Sequence, residues 1–388
     1  MNASRRRLLQ DVLSCPTSPF CERAVIEYVR DWAARHGVAF AQDAAGNVLL
    51  RANGSVRRRR PGARGKSGAR LAKKPTWVFT AHMDHPGFVV TGRRGRSVLA
   101  QFRGGVAKEY FPGSRVRLLT GDRELAATVS SVRKSKGHGA LECRLELVGA
   151  EPADVPPGSI GMWDVPVFRS RNGRIAARAC DDLGGCAAVL AAMEDIISRG
   201  VAAKVIGLLT RAEEAGFVGA LAACRLGTIP AGAMVVGIET SKAQPAAGHG
   251  DGVVIRVGDK TRTFDESLTA HISTVAGELA RTDKSFRFVR HLMPGGTCES
   301  TVYCALGHMA AALAVPLGNY HNQHPRGRIA AEFIDEGDFD CLVELLVALA
   351  IDKRTCADTD AALCRRLDGL LNSQQKTLDE PGPWSPRR

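Results

Sequence analysis

Ala179-Cys180-Asp181-Asp182-Leu183-Gly184-Gly185-Cys186 and, further along, Arg211-Ala212-Glu213-Glu214-Ala215-Gly216 decide how this chain is read. Each stretch places carboxylates at the end of an apolar run and follows them with glycine, which suits charged groups gathered at the carboxyl edge of a parallel sheet. Buried carboxylates repel one another, so several meeting in one place require a cation, protons or arginines. If histidines join them, a metal pair is the simplest balance.

Working outward, the apolar runs 76–80, 203–210, 233–238, 252–256, 286–290 and 309–315 read as strands, and helical periodicity over 184–199, 267–280 and 332–351 alternates with them. Helices over 5–13 and 22–36 and short strands at 38–40 and 47–50 precede this rhythm. Between Phe88 and about Phe168 the texture changes to short β-like runs broken by glycine and proline turns, as in a small barrel. The expected fold class is α/β: a mixed, mostly parallel sheet flanked by helices, with an inserted all-β barrel-like domain. Residues 1–87 and 171–373 would form the two parts of a catalytic domain, 88–170 the insertion, and 374–388, with Pro381, Pro383 and Pro386, a disordered tail.

Composition narrows the setting. Eleven cysteines, an odd number without CxxC spacing and without a secretory segment ahead of them, fit reduced thiols in a cytoplasmic protein better than a disulfide framework. No apolar run is long enough to span a bilayer. The net charge is +13, and nine of those charges fall between Arg57 and Lys74 without an acid among them. Rich in glycine and poor in aromatics, 57–74 reads as a mobile, solvated surface loop; the sharper alternative is a docking patch for an acidic partner, with nucleic acid the less favoured candidate.

Five separated positions put a potential ligand at the end of a strand-like run: His82, Asp181, the Glu213-Glu214 pair, Glu239 and His321. Two imidazoles and three carboxylates can hold two divalent ions, one carboxylate bridging them. A further acid beside them is what a general base needs to take a proton from water. His324 competes with His321 for the last position, and Cys298 reads as an ordinary buried thiol rather than a reactive one.

The order of Asp43-Gly46-Asn47, His82-x-Asp84, the β-rich insertion, Asp181-Asp182-x-Gly184, Glu213-Glu214-x-Gly216, Gly295-Gly296-Thr297 and 316–321 resembles that of M42 aminopeptidases, relatives of the M20 and M28 metallopeptidases. The resemblance spans roughly residues 8–351. It implies that Asp181 bridges two ions, that His82 and Glu239 complete one site, and that Glu214 and His321 complete the other. It further implies that Asp84 holds the second nitrogen of His82, that Glu213 is the general base, and that Gly295–Thr297 line the active site. Two divalent ions per chain are expected, zinc first, with cobalt and manganese compatible. A peptide substrate and a homo-oligomer follow from the same resemblance, with no membrane partner.

Three positions depart from the family pattern. Glu239 stands where aspartate is usual, His85 where an acid is common, and Leu183 where an arginine often follows the aspartate pair. They bear on substrate preference more than on metal binding, and His85 has the alternative of a third imidazole facing the substrate. The rival functions are an M20-like deacylase or dipeptidase and an inactive scaffold that binds a polyanion through 57–74.

Overall fold

The computed structural model describes residues 1–52, 75–121, 123–135, 140–380 and 382. The 57–74 segment and the far end of the chain, 383–388, lie outside the described residues. The apolar runs assemble into an eight-stranded sheet in the order Ala39–Gln42, Val48–Arg51, Lys204–Thr210, Thr76–His82, Met234–Lys242, Met309–Leu317, Val253–Asp259 and Phe288–Met293. Its middle four strands are mutually parallel. Val48–Arg51 and Val253–Asp259 pair antiparallel on either side of them, so the sheet is mixed.

Parallel strands covered on both faces must be apolar along their whole length. In Lys204–Thr210 every residue after Lys204 is buried. The covering helix Cys180–Ser198 is apolar nearly all round, with Ala187, Ala188, Ala191 and Ala192 fully or almost fully buried. These small side chains let it lie close to the sheet while the helices Ala3–Ser14 and Glu336–Ile351 pack on its other side. This burial directs its N-terminus, which carries Asp181, to the sheet edge where the parallel strands end.

Between Gly87 and Trp163 six antiparallel strands close into a barrel: Gly87–Arg94, Ser97–Arg103, Leu141–Leu147, Arg123–Lys134, Arg115–Thr120 and Ile160–Trp163. Closure leaves no edge to pair with another chain. Phe88, Phe102, Phe111 and Trp163 fill the interior edge to face, with Phe88 and Trp163 ring centroids 4.8 Å apart. Gly161 is needed where strands crowd together, since a Cβ there would come within 2.8 Å of Leu118 and 3.0 Å of Phe88.

Two expectations are corrected. The 332–351 stretch is not one helix: Glu332–Asp335 is a strand paired with Arg174–Ala177, and the helix starts at Glu336. Asp335 is the reason, because its carboxylate accepts the N–H groups of Gly337 and Asp338 and so caps the helix. The tail expected to be disordered from Gln374 is helical through Asp379, as part of Cys356–Asp379. A reciprocal Thr355–Asp358 cap starts that helix, and no proline interrupts it before Pro381. It leaves Leu363, Leu367, Leu370, Leu371 and Leu378 exposed. No helix among the described residues is long and apolar enough to cross a membrane, and all eleven cysteines are free.

Candidate metal centre

Lys204–Thr210, Thr76–His82, Met234–Lys242 and Met309–Leu317 are consecutive parallel neighbours, so their carboxyl ends share one edge. His82 ends the second of these strands, Glu239 lies near the end of the third, and Glu213-Glu214 and His321 follow the first and fourth. Asp181 enters from the start of its helix. All five expected ligands and Glu213 therefore converge, as the reading of strand ends anticipated.

Asp181 sits between the imidazoles: its Oδ1 is 3.3 Å from His82 Nε2, and its Oδ2 is 3.5 Å from His321 Nε2. Glu239 Oε2 and Glu213 Oε2 are each 3.9 Å from His82 Nε2, and Glu214 Oε1 is 3.0 Å from His321 Nε2. The donor atoms of His82, Asp181 and Glu239, and those of Asp181, Glu214 and His321, form two groups that each lie within 4.8 Å of one another. Asp181 belongs to both, as a bridging carboxylate must.

Burial alone would depress the His82 and His321 imidazoles, but the carboxylates around them outweigh it and hold both well above the ordinary value. Burial likewise pushes Glu239 up to about 8 and Glu213 well above the usual carboxylate range, although His82 opposes the shift in each. Asp181 goes the other way, because the His321 and His82 imidazoles beside it overcome its burial. Without cations this pocket must carry protons to limit carboxylate repulsion. Asp181 Oδ1 and Glu214 Oε1 also lack a well-aligned hydrogen bond. Mixed nitrogen and oxygen donors with free lone pairs fit divalent ions.

The M42 glutamyl aminopeptidase family model matches residues 65–331, well over half of the chain. The chain belongs to the M42 family. It is accordingly a metal-dependent aminopeptidase, a hydrolase. Solved M42-like structures share the fold. The TET aminopeptidase of the marine sediment archaeon Thaumarchaeota archaeon SCGC AB-539-E09 superposes with a TM-score of 0.71 at 16% identity, covering 92% of this chain and 98% of its own. The TET1 peptidase of Pyrococcus horikoshii, described as assembling into a tetrahedron or a large octahedral shell, gives 0.70 at 19%, covering 90% and 99%. An aminopeptidase of Desulfurococcus kamchatkensis gives 0.70 at 19%, covering 92% and 97%. No curated protein matches the chain.

Within this M42 centre some expected roles shift. His82 Nδ1 donates to the Asp84 backbone carbonyl at 3.1 Å, whereas the Asp84 carboxylate lies 3.6 Å away, beyond hydrogen-bond reach. That carboxylate instead accepts the backbone N–H groups of Glu213 and Glu214. His85 does not face the pocket. Its buried ring meets the Asp181 carbonyl through Nδ1 and Asn322 Oδ1 through Nε2, and burial lowers its pKa to about 4. His324 stays outside the cluster, with Nδ1 accepting from Arg326 N–H. Gly295, Gly296 and Thr297 line the pocket, and the Cys298 thiol is buried with its pKa raised.

Sequence reasoning missed two residues. Glu332 is wholly buried and accepts the N–H of Asp181 at 3.0 Å and of His321 at 2.8 Å, fixing the backbones of two expected ligands with one carboxylate. Its only signal is an acid set between the apolar residues Ile329-Ala330-Ala331 and Phe333-Ile334. Arg256, buried on the pocket wall, donates from Nη1 to Ser241 Oγ at 3.1 Å. An arginine inside the apolar run 252–256 is costly without a partner, and that oddity could have marked it.

Proposed function

We propose that the protein removes N-terminal residues from peptides at a pair of divalent cations, zinc first among the candidates, held by His82, Asp181 and Glu239 on one side and by Asp181, Glu214 and His321 on the other. The reading rests on one observation, the two oxygens of Asp181 turned toward two different imidazoles. Bound cations would supply Lewis acidity for the scissile carbonyl and lower the pKa of the attacking water. Glu213, whose proton affinity is raised by burial, would take a proton from the attacking water at Oε2 and pass it to the leaving amine. Asp84 and Glu332 hold the backbones of the reacting and ligating residues in place.

The pocket lining also carries Lys242 and Arg256. Two cations beside a buried amine-binding end suit an acidic N-terminal side chain, in keeping with the glutamyl specificity in the family's description. The same charges would hold the terminal carboxylate of a dipeptide or N-acyl amino acid, which keeps the deacylase or dipeptidase as the second reading. We further propose a homo-oligomer, as in the TET relatives, and a cytoplasmic location suited to eleven free thiols.

Elemental analysis combined with a substrate panel tests this. Two cations per chain and cleavage of glutamyl anilide, which lacks a terminal carboxylate, are expected. Cleavage confined to N-acyl amino acids, or full activity after exhaustive chelation, would overturn the reading.

A further inference from the structure

We propose that a cavity between the barrel and the main domain is a binding site for a small oxyanion, either inorganic phosphate or a short carboxylate, held by Arg178, Arg117 and Arg123. The cavity measures about 280 Å³ and shares no lining residue with the metal pocket. The end of the first helix, at Ser14 and Pro16, walls one side, and barrel residues including Trp163 wall the other.

Arg178 carries the argument. It is 3% exposed, and its Nη2 donates to the Cys15 carbonyl at 2.6 Å, but Nε and Nη1 meet no acceptor among the described residues. A guanidinium keeps its proton at neutral pH even when buried, so its charge needs a counterpart. The chain supplies one generously elsewhere: Arg5, similarly buried, is ringed by Asp195, Asp340 and Glu344. No carboxylate forms an ion pair with Arg178 among the described residues, and the charge of Glu332 acts on it only through space.

The charge around it sharpens the point. Arg117 and Arg123 line the same cavity, and Glu124 is the one acid lining it among the described residues. Arg117 is held by Asp164 at 2.9 Å and lies 3.5 Å from Glu124, while Arg123 reaches Asp154 at 3.3 Å. Arg117 and Arg123 thus each have a carboxylate in reach, and among the described residues the charge left without an ion pair at this cavity is that of Arg178. The planar fork of arginine matches the paired oxygens of a carboxylate or phosphate.

Titration calorimetry of the metal-loaded enzyme with sodium phosphate and, separately, with sodium succinate at constant ionic strength identifies the source of the anion. One of them should bind saturably at one per chain, weaken about tenfold or more in Arg123→Ala, and fail to bind in Arg178→Met. The bound anion should raise the unfolding temperature of the wild type and leave that of Arg178→Met unchanged. Because Arg178→Met removes an unpaired buried charge, it should fold at least as well as the empty wild type, and Arg123→Ala, on the exposed rim, should keep its aminopeptidase activity. Equal binding by Arg178→Met, no saturable binding of either anion, or binding that vanishes on chelation and so belongs to the metal centre would each overturn the proposal.

Discussion

The Asp84 carboxylate accepts the backbone N–H of Glu213 at 2.9 Å, and its other oxygen accepts the N–H of Glu214 at 3.0 Å. The same residue's carbonyl accepts a hydrogen bond from His82 Nδ1. Asp84 thus fixes the imidazole of one strand end and the acidic turn of its neighbour, although it need touch neither cation. Replacing it by asparagine leaves one of the two N–H groups facing an amide instead of a carboxylate oxygen. Asp84→Asn should lower kcat/KM by about 10- to 100-fold and reduce metal content, as loss of such supports does elsewhere. Steady-state kinetics with elemental analysis checks this, and an unchanged variant would remove Asp84 from the mechanism.

Glu213→Gln separates proton transfer from binding. The amide keeps the size of the side chain but cannot accept the proton from water. kcat should fall by at least about 10²-fold, while two cations per chain and KM persist. If the metal is lost instead, Glu213 is a ligand and the general base lies elsewhere.

The pH dependence of the metal-free protein has a definite sign. The Glu239 carboxyl is raised by burial from 4.5 to about 8, and Glu213, His82 and His321 are raised as well. A raised value stabilises the fold at low pH, and for Glu239 that contribution disappears between pH 4.5 and about 8. Cations replace the protons, so metal uptake should release protons and weaken as the pH falls. The gap in unfolding temperature between metal-loaded and metal-free protein should widen from pH 5 to pH 8. A gap that narrows over this range would contradict the assignment, and calorimetry in buffers of different ionisation enthalpy counts the protons.

Lys242 tests substrate preference. It is exposed at the end of its strand, so Lys242→Ala should leave folding intact. The ratio of kcat/KM for glutamyl over leucyl anilides should drop by about tenfold, the value of one charge contact of about 1.4 kcal/mol. An unaltered ratio would assign the preference to Arg256 alone or deny it.

Trp163 anchors the barrel. It is 1% exposed and packs against Phe88, Phe102 and Phe111. Trp163→Ala should cost about 3–5 kcal/mol, read as a lower urea midpoint. A loss below about 1 kcal/mol would mean that the ring cluster relaxes into the cavity.

The strand runs, the β-rich insertion and the order of His82, Asp181, Glu213, Glu214, Glu239 and His321 were legible along the chain, because apolar periodicity and residues at strand ends are local properties. That local patterning misplaced the start of the Glu336–Ile351 helix and the fate of 374–379, where single capping residues outweighed broader composition. The folded chain alone shows that the Asp84 carboxylate serves the Glu213-Glu214 turn, that His85 bonds the Asp181 carbonyl, that His321 and not His324 joins the acidic cluster, and that Glu332 ties Asp181 and His321 together. Each of these depends on groups far apart in the chain meeting at hydrogen-bond range. Packing of the Cys180–Ser198 helix against the parallel strands creates those meetings, and no spacing along the polypeptide encodes them.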